Sequence, residues 1–252
     1  MSVQLSLIEY ANTLPFTFGL KQNDFIRKHS VFHSHYPAQG VREMKQGKVA
    51  LSILPVAAIP EIPNAHIISP YCIAANGSVD SVLLCSHKPL SHIYSVLLDY
   101  QSRTSNLLVQ VLAEKLWYIS PQFIVSDENT SACDFDARVI IGDRALASLH
   151  SQEYEYMYDL AQAWYELYSL PFVFACWVAN VNISNSYSNQ FNQSLEYGVQ
   201  HIDEAIALSG ADFLYDIHDY LHHKILYTIP VPIQKVLDVF YADIMSLSNV
   251  VK

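Results

Sequence analysis

Short apolar runs that end in polar loops alternate along this chain with stretches of helical period. Val3–Ile8 alternates and then turns wholly apolar, and Val49–Leu54 is apolar and stopped by Pro55. Ile67–Ser69, Val79–Cys85, Tyr94–Asp99, Phe123–Ser126, Ala137–Gly142 and Leu170–Val178 follow. Runs of this length between turn residues read as strands. Helical period appears over 37–47, 106–116 and 159–168, and over 194–209, 213–225 and 233–247 in the last third. Gly47 stands where a C-cap glycine belongs. Residues 9–15 and the Asn/Ser-rich stretch 180–192 read as loops, the latter opening a helix. Strands alternating with helices predict an α/β protein with mostly parallel sheets.

The 252 residues are long for one core and sufficient for two lobes. Extended segments near residues 85 and 180 predict a discontinuous first lobe, 1–86 with 182–252, and a second lobe, 87–181. In open α/β sheets ligands sit beyond the C-terminal strand ends. The expectation is therefore a ligand cleft between the lobes.

Composition narrows the chemistry. A net charge of −10 with only 14 Lys and Arg, nowhere densely clustered, argues against nucleic-acid binding, which needs clustered cations to displace phosphate counterions. An anionic ligand would have to find positive potential in backbone N–H groups and a few chosen side chains. No run reaches the roughly 18 apolar residues of a membrane span, and residues 1–8 lack a cationic signal region, so the expectation is a cytoplasmic protein that meets no membrane. Cys72, Cys85, Cys133 and Cys176 form no C-x-x-C pair and read as idle thiols of a reducing compartment. His218 and His222, spaced as metal ligands are, lie with His223 in a polar stretch and read as a solvated helix face; His33 and His35 read as loop residues. No metal or cofactor is expected, and the sequence leaves monomer and dimer open.

Four loops follow predicted strands: Asn12–Thr13, Pro55 with its neighbours, Ser102–Arg103–Thr104–Ser105, and Gly142–Asp143. The third has the clearest physics. A strand ends at Asp99 and hydroxyls cluster where a helix begins, so unpaired N–H groups and the positive helix end could hold a carboxylate. Plain N-capping by Ser102 or Thr104 accounts for the same residues equally well. Asn12 can donate to a hydroxyl or carboxylate, or simply bond its own backbone as turn residues do. Asp143 reads as an acid–base group or as an N-cap.

In order along nearly the whole chain, Tyr10–Pro15, Gly47–Val56, Gly77–Leu83, Leu98–Ser105, Ile141–Leu146, Asp159–Trp164 and Leu170–Trp177 resemble the chorismate dehydratase family of the futalosine route to menaquinone. Tyr220–Leu221, Ile225–Tyr227 and Phe240–Tyr241 echo that family's C-terminal helices. The resemblance implies a type II periplasmic-binding-protein-like fold and a hydro-lyase that converts chorismate, a small dicarboxylate, to 3-[(1-carboxyvinyl)oxy]benzoate and water without a cofactor. With that substrate, Asn12, Ser81 and Asp143 are the candidate catalytic residues, and Thr13, Pro55, Ser102, Arg103, Thr104 and Ser105 the candidate substrate contacts. The sister 1,4-dihydroxy-6-naphthoate synthases resemble the chain less: their opening Cys-Pro-Asn-Asp type loop is Tyr10–Pro15 here, and Gly142 stands where they carry a catalytic histidine. A non-catalytic small-carboxylate binder of the same fold is the other alternative.

Overall fold

The computed structural model describes residues 2–8, 10–35, 37–125, 135–151, 153–247 and 251; Cys133 and Ser126 lie outside them. In chain order the first elements are β1 (Val3–Ile8), α1 (Leu14–Gln22), α2 (Asp24–His29), β2 (Ser30–His35), α3 (Pro37–Lys45), β3 (Leu51–Pro55), β4 (His66–Ala75) and β5 (Val82–Ser86). Then come β6 (Ser95–Leu98), α4 (Arg103–Lys115), β7 (Gln122–Val125), β8 (Ala137–Ile141), α5 (Asp143–Ser151), β9 (Tyr156–Asp159) and α6 (Leu160–Tyr168). The chain continues through β10 (Phe172–Ala179), α7 (Asn185–Gln200), α8 (Ile202–Ser209), α9 (Ile217–Asp219), a π-helical turn (Tyr220–Lys224) and α10 (Ile233–Ser246).

These elements group into two compact units, 1–74 with 174–229 and 75–173 with 230–252. The first holds a five-stranded sheet of order β2-β1-β3-β10-β4. Here β1 runs parallel to β2 and β3, and β10 runs antiparallel to β3. The second sheet has the order β7-β6-β8-β5-β9. Here β6 runs parallel to β7 and β8, and β5 runs antiparallel to β8 and β9. The two sheets are therefore mixed, where mostly parallel sheets were expected. A strand buried on both faces is apolar throughout whichever way it runs, so its composition does not encode direction. Topologically β1 corresponds to β6 and β3 to β8, and the four predicted loops are the segments that follow these central strands.

Several elements escape the sequence pattern. Helix α1 begins inside the stretch 9–15 that reads as loop, yet Pro is suited to a first turn and Pro15 stands in that position. Strand β2 is the sheet's edge, so its Ser and His residues need no apolar pattern; His33 Nε2 lies 2.7 Å from Gln4 Oε1 on β1. The stretch 194–209 breaks at His201, and only 217–224 of 213–225 is helical.

The units also differ from the lobes expected from residues 85 and 180. Strand β5 belongs to the second sheet through both its neighbours, and α10 belongs to the second unit. The reason is a set of contacts that sequence period cannot show. On α10, the buried Asp243 accepts from Lys115 Nζ of α4 and from Tyr168 OH of α6, both at 2.5 Å. Phe240 packs edge-to-face on Phe172 and Trp164, with ring centroids 5.1 and 6.0 Å away, and edge-to-face pairs add about 0.5–1.5 kcal/mol beyond area burial. Gln110 on α4 exchanges two 2.9 Å bonds with the Val251 backbone.

Cys72, Cys85 and Cys176 are buried. Burial pushes the Cys72 and Cys85 thiols up to about 12, which removes the thiolate needed of a nucleophile. Among the described residues no helix is long and apolar enough to cross a membrane.

Candidate active site

In the first unit, the loop after β1 is a short 3-10 turn, Ala11–Thr13, running directly into α1. Thr13 is buried, and its hydroxyl is 2.5 Å from the Ile8 carbonyl and 2.8 Å from that of Tyr10. One proton serves these two acceptors, so Thr13 fixes the turn, a role that competes with the substrate contact expected of it. Asn12 is half-buried. Pro55 ends β3, pairs with Ala175 of β10 and leads into the 3-10 turn Val56–Glu61. Asn12 and Pro55 thus stand at the C-terminal ends of two adjacent parallel strands.

Beneath this loop α1 crosses α7 with backbones in contact. A Cβ built on Gly19 would sit 1.9 Å from the Ser194 carbonyl oxygen, and one on Gly198 would sit 1.9 Å from that of Pro15. The glycines at this crossing therefore set the position of the turn that carries Asn12.

In the second unit, Ser102 is the N-cap of α4. Its Oγ accepts from Ser105 N at 3.2 Å and donates to Ser105 Oγ at 2.7 Å. The capping role, one of two readings open in the sequence, is occupied. Thr104 and Ser105 are buried in the first turn and Arg103 is half-buried beside them. Asn106, which the sequence reading passed over, docks this turn on the strand end. Its Oδ1 accepts from Asp99 N at 2.9 Å and its Nδ2 donates to Asp99 O at 2.8 Å.

The Asp99 side chain is buried, accepting from Gln101 N and from Arg144 Nη2, both at 2.8 Å. Arg144 also reaches Gln101 Oε1 at 3.2 Å and lies over the Tyr100 ring, 5.8 Å from its centroid. Arg144 is a further residue the sequence reading did not single out. The signal was its place beside Asp143 after β8, next in the sheet to β6, which ends before Asp99. Helix α4's positive end and Arg103 bring partial and full positive charge to this sheet end, while the Arg144 guanidinium there is engaged by the Asp99 carboxylate.

Burial raises the Asp99 carboxyl above its ordinary value, and this outweighs Arg144 and the Gln101 amide, which pull it down. A carboxyl raised on folding adds stability fully present below its unfolded value and lost as pH rises through the folded one. Comparing Asp99→Asn with the parent by denaturant unfolding from about pH 4 upward, we expect the parent's relative stability to fall across the raised window and then level. A relative gain with rising pH would mean that Arg144 outweighs burial.

Ser81 is buried directly before β5, and its carbonyl accepts from Gly142 N at 2.7 Å. Gly142 takes the left-handed conformation, φ 63°, and its carbonyl receives Ala145 N at 3.0 Å as α5 starts. Asp143 is exposed on the first turn of α5. Ser81, Asp143 and the α4 turn therefore gather at one end of the second sheet. The loop leading to Ser81 is held by Asp159, whose Oδ2 accepts from Val79 N at 2.8 Å and Asp80 N at 2.6 Å. Its Oδ1 accepts from Ala161 N and Gln162 N at 2.9 and 3.0 Å, capping α6.

A cavity of about 390 Å³ in the first unit is lined by Tyr71, Glu196, Leu221, His222 and Tyr227, among others, and by none of the predicted site residues. The strand-end loops, with their helix starts and cations, are the better chemical candidates.

Against known proteins, the family described as menaquinone biosynthesis matches residues 3–242. The chain is 27% identical over 190 residues to a chorismate dehydratase of Thermus thermophilus, covering 69% of this chain and 68% of that protein. Two solved structures show the fold. One is a Candida albicans gene product described as having the generic periplasmic binding protein fold, with TM-score 0.67, 10% identity, and 100% and 92% coverage of the two chains. The other is the periplasmic aliphatic sulphonate binding protein of Escherichia coli, with TM-score 0.57, 15% identity, and 98% and 94% coverage. The fold is thus the two-lobed α/β periplasmic-binding-protein type.

Proposed function

The chain belongs to the menaquinone biosynthesis family, and from that premise we propose that it is a chorismate dehydratase. It would remove water from chorismate to give 3-[(1-carboxyvinyl)oxy]benzoate. The observation that carries the reading is the family match over 3–242 together with the dehydratase relative. The chemistry at the strand ends supports it. The substrate has two carboxylates and a ring hydroxyl. In the reaction the ring C–H beside the ether oxygen loses its proton, its electron pair completes the third ring double bond, and the hydroxyl departs with that proton as water. Aromatisation drives this step, so the protein's task is to orient the substrate and ease departure of the hydroxyl.

The α4 turn Ser102–Ser105, which includes Arg103, is assigned to a substrate carboxylate. Ser81 is assigned to the second carboxylate or the hydroxyl, and Asn12 to the reacting hydroxyl or the enolpyruvyl group. Asp143, exposed at a helix start, is assigned as the acid–base group in solvent contact; a substrate carboxylate is the nearest alternative proton acceptor. Asn12→Ala should lower kcat by about 100-fold, the scale of losing one donor to a developing charge, with the melting temperature almost unchanged. Near-normal kcat in that variant removes Asn12 from the mechanism.

A further inference from the structure

The two histidines that the sequence placed on a solvated helix face meet a third donor from another helix. His218 Nδ1 and His222 Nε2 each lie 3.0 Å from the same oxygen, Asp203 Oδ1. The three ligand atoms all fall within 4.8 Å of one another. Asp203 is in the first turn of α8, fifteen residues before His218, so helical spacing alone could not pair them.

We propose that Asp203, His218 and His222 form a binding site for a divalent first-row transition ion with affinity for imidazole, zinc foremost. Bonds of about 2.0–2.2 Å to nitrogen and oxygen set neighbouring ligand atoms roughly 3.0–3.5 Å apart, and the 3.0 Å separations already match that spacing. Imidazole with carboxylate is a donor set that suits zinc, copper and nickel and disfavours magnesium and calcium. His222 lies in the π-helical turn Tyr220–Lys224, closed by Ile225 N to Tyr220 O at 3.2 Å. Single π turns are rare and concentrate at functional sites. Three protein ligands leave coordination positions for water or a small donor. All three residues are exposed, so an ion can enter without opening the fold, and once bound it would tie α8 to segment 217–224. None of these residues serves the proposed dehydration, and the site stands or falls independently of it.

The test is calorimetric titration of zinc chloride into the chelator-stripped full chain and into Asp203→Ala, His218→Ala and His222→Ala. The expected result is saturable uptake of a single equivalent by the parent. Each variant should bind more weakly by at least the roughly 10–100-fold that loss of an outer-shell partner costs, with circular dichroism unchanged. Absence of saturable uptake by the parent, or parent-like affinity in the variants, overturns the site.

Discussion

Gly198→Ala will destabilise the protein by about 3 kcal/mol or more, the upper end of overpacking costs, and will lower the melting temperature by roughly 10 °C. Intrinsic propensity predicts the opposite, because alanine in a helix interior is about 1 kcal/mol better than glycine. The contact geometry decides the sign. The new methyl would lie 1.9 Å from the Pro15 carbonyl oxygen and 2.8 Å from its carbon. These are backbone atoms at the start of α1, so no rotamer change relieves the clash and the helices must separate. Separation moves the Ala11–Thr13 turn, so turnover should fall together with stability. A variant as stable as the parent in thermal and denaturant unfolding would mean that the α1–α7 crossing is looser than described.

Asp159→Ala will cost about 3–4 kcal/mol. Loss of the α6 N-cap accounts for about 1 kcal/mol, and the amides of Val79 and Asp80, left without their acceptor, for about 1 kcal/mol or more each. Asp80 holds a left-handed backbone, φ 64°, and Gly77 has φ 99°; Asp159 is what stabilises that conformation. Ser81 follows immediately, so if Ser81 contacts chorismate as proposed, the variant's KM for chorismate should rise even at temperatures where it remains folded. Asp159→Asn keeps one acceptor oxygen and should lose about half as much. Equal losses in the two variants would show that charge, and not the number of accepted bonds, is what matters here.

The two contacts show why part of this molecule was legible in the sequence and part was not. Buried strands announce themselves by composition, so β1, β3, β6, β8 and β10 were readable, as were the hydroxyls at the start of α4 and the glycine after α3. Their ends mark the candidate loops directly. Strand direction was not readable, because an all-apolar run has no polarity along the chain. Edge strand β2 lacked the apolar signal for a physical reason, its exposure to solvent. The supporting residues were hidden because they act through tertiary partners. Asn106 looks like an ordinary polar helix residue until it copies a backbone pairing with Asp99. Asp159 was visible as a helix start but not as the holder of residues 78–80. The ordered motifs Gly77–Leu83 and Asp159–Trp164, far apart in sequence, prove to be bonded to each other. Asp203 gave no sign of its histidines.

Chorismate dehydration by this protein is tested by mixing the purified protein with chorismate and following the mixture by chromatography and mass spectrometry. A dehydratase yields a new species lighter than chorismate by one water, with the ultraviolet spectrum of a substituted benzoate, formed at a rate proportional to protein and suppressed in Asn12→Ala. Unchanged chorismate in the presence of folded protein would contradict the assignment and favour a 1,4-dihydroxy-6-naphthoate synthase-like enzyme or a non-catalytic carboxylate binder of the same fold.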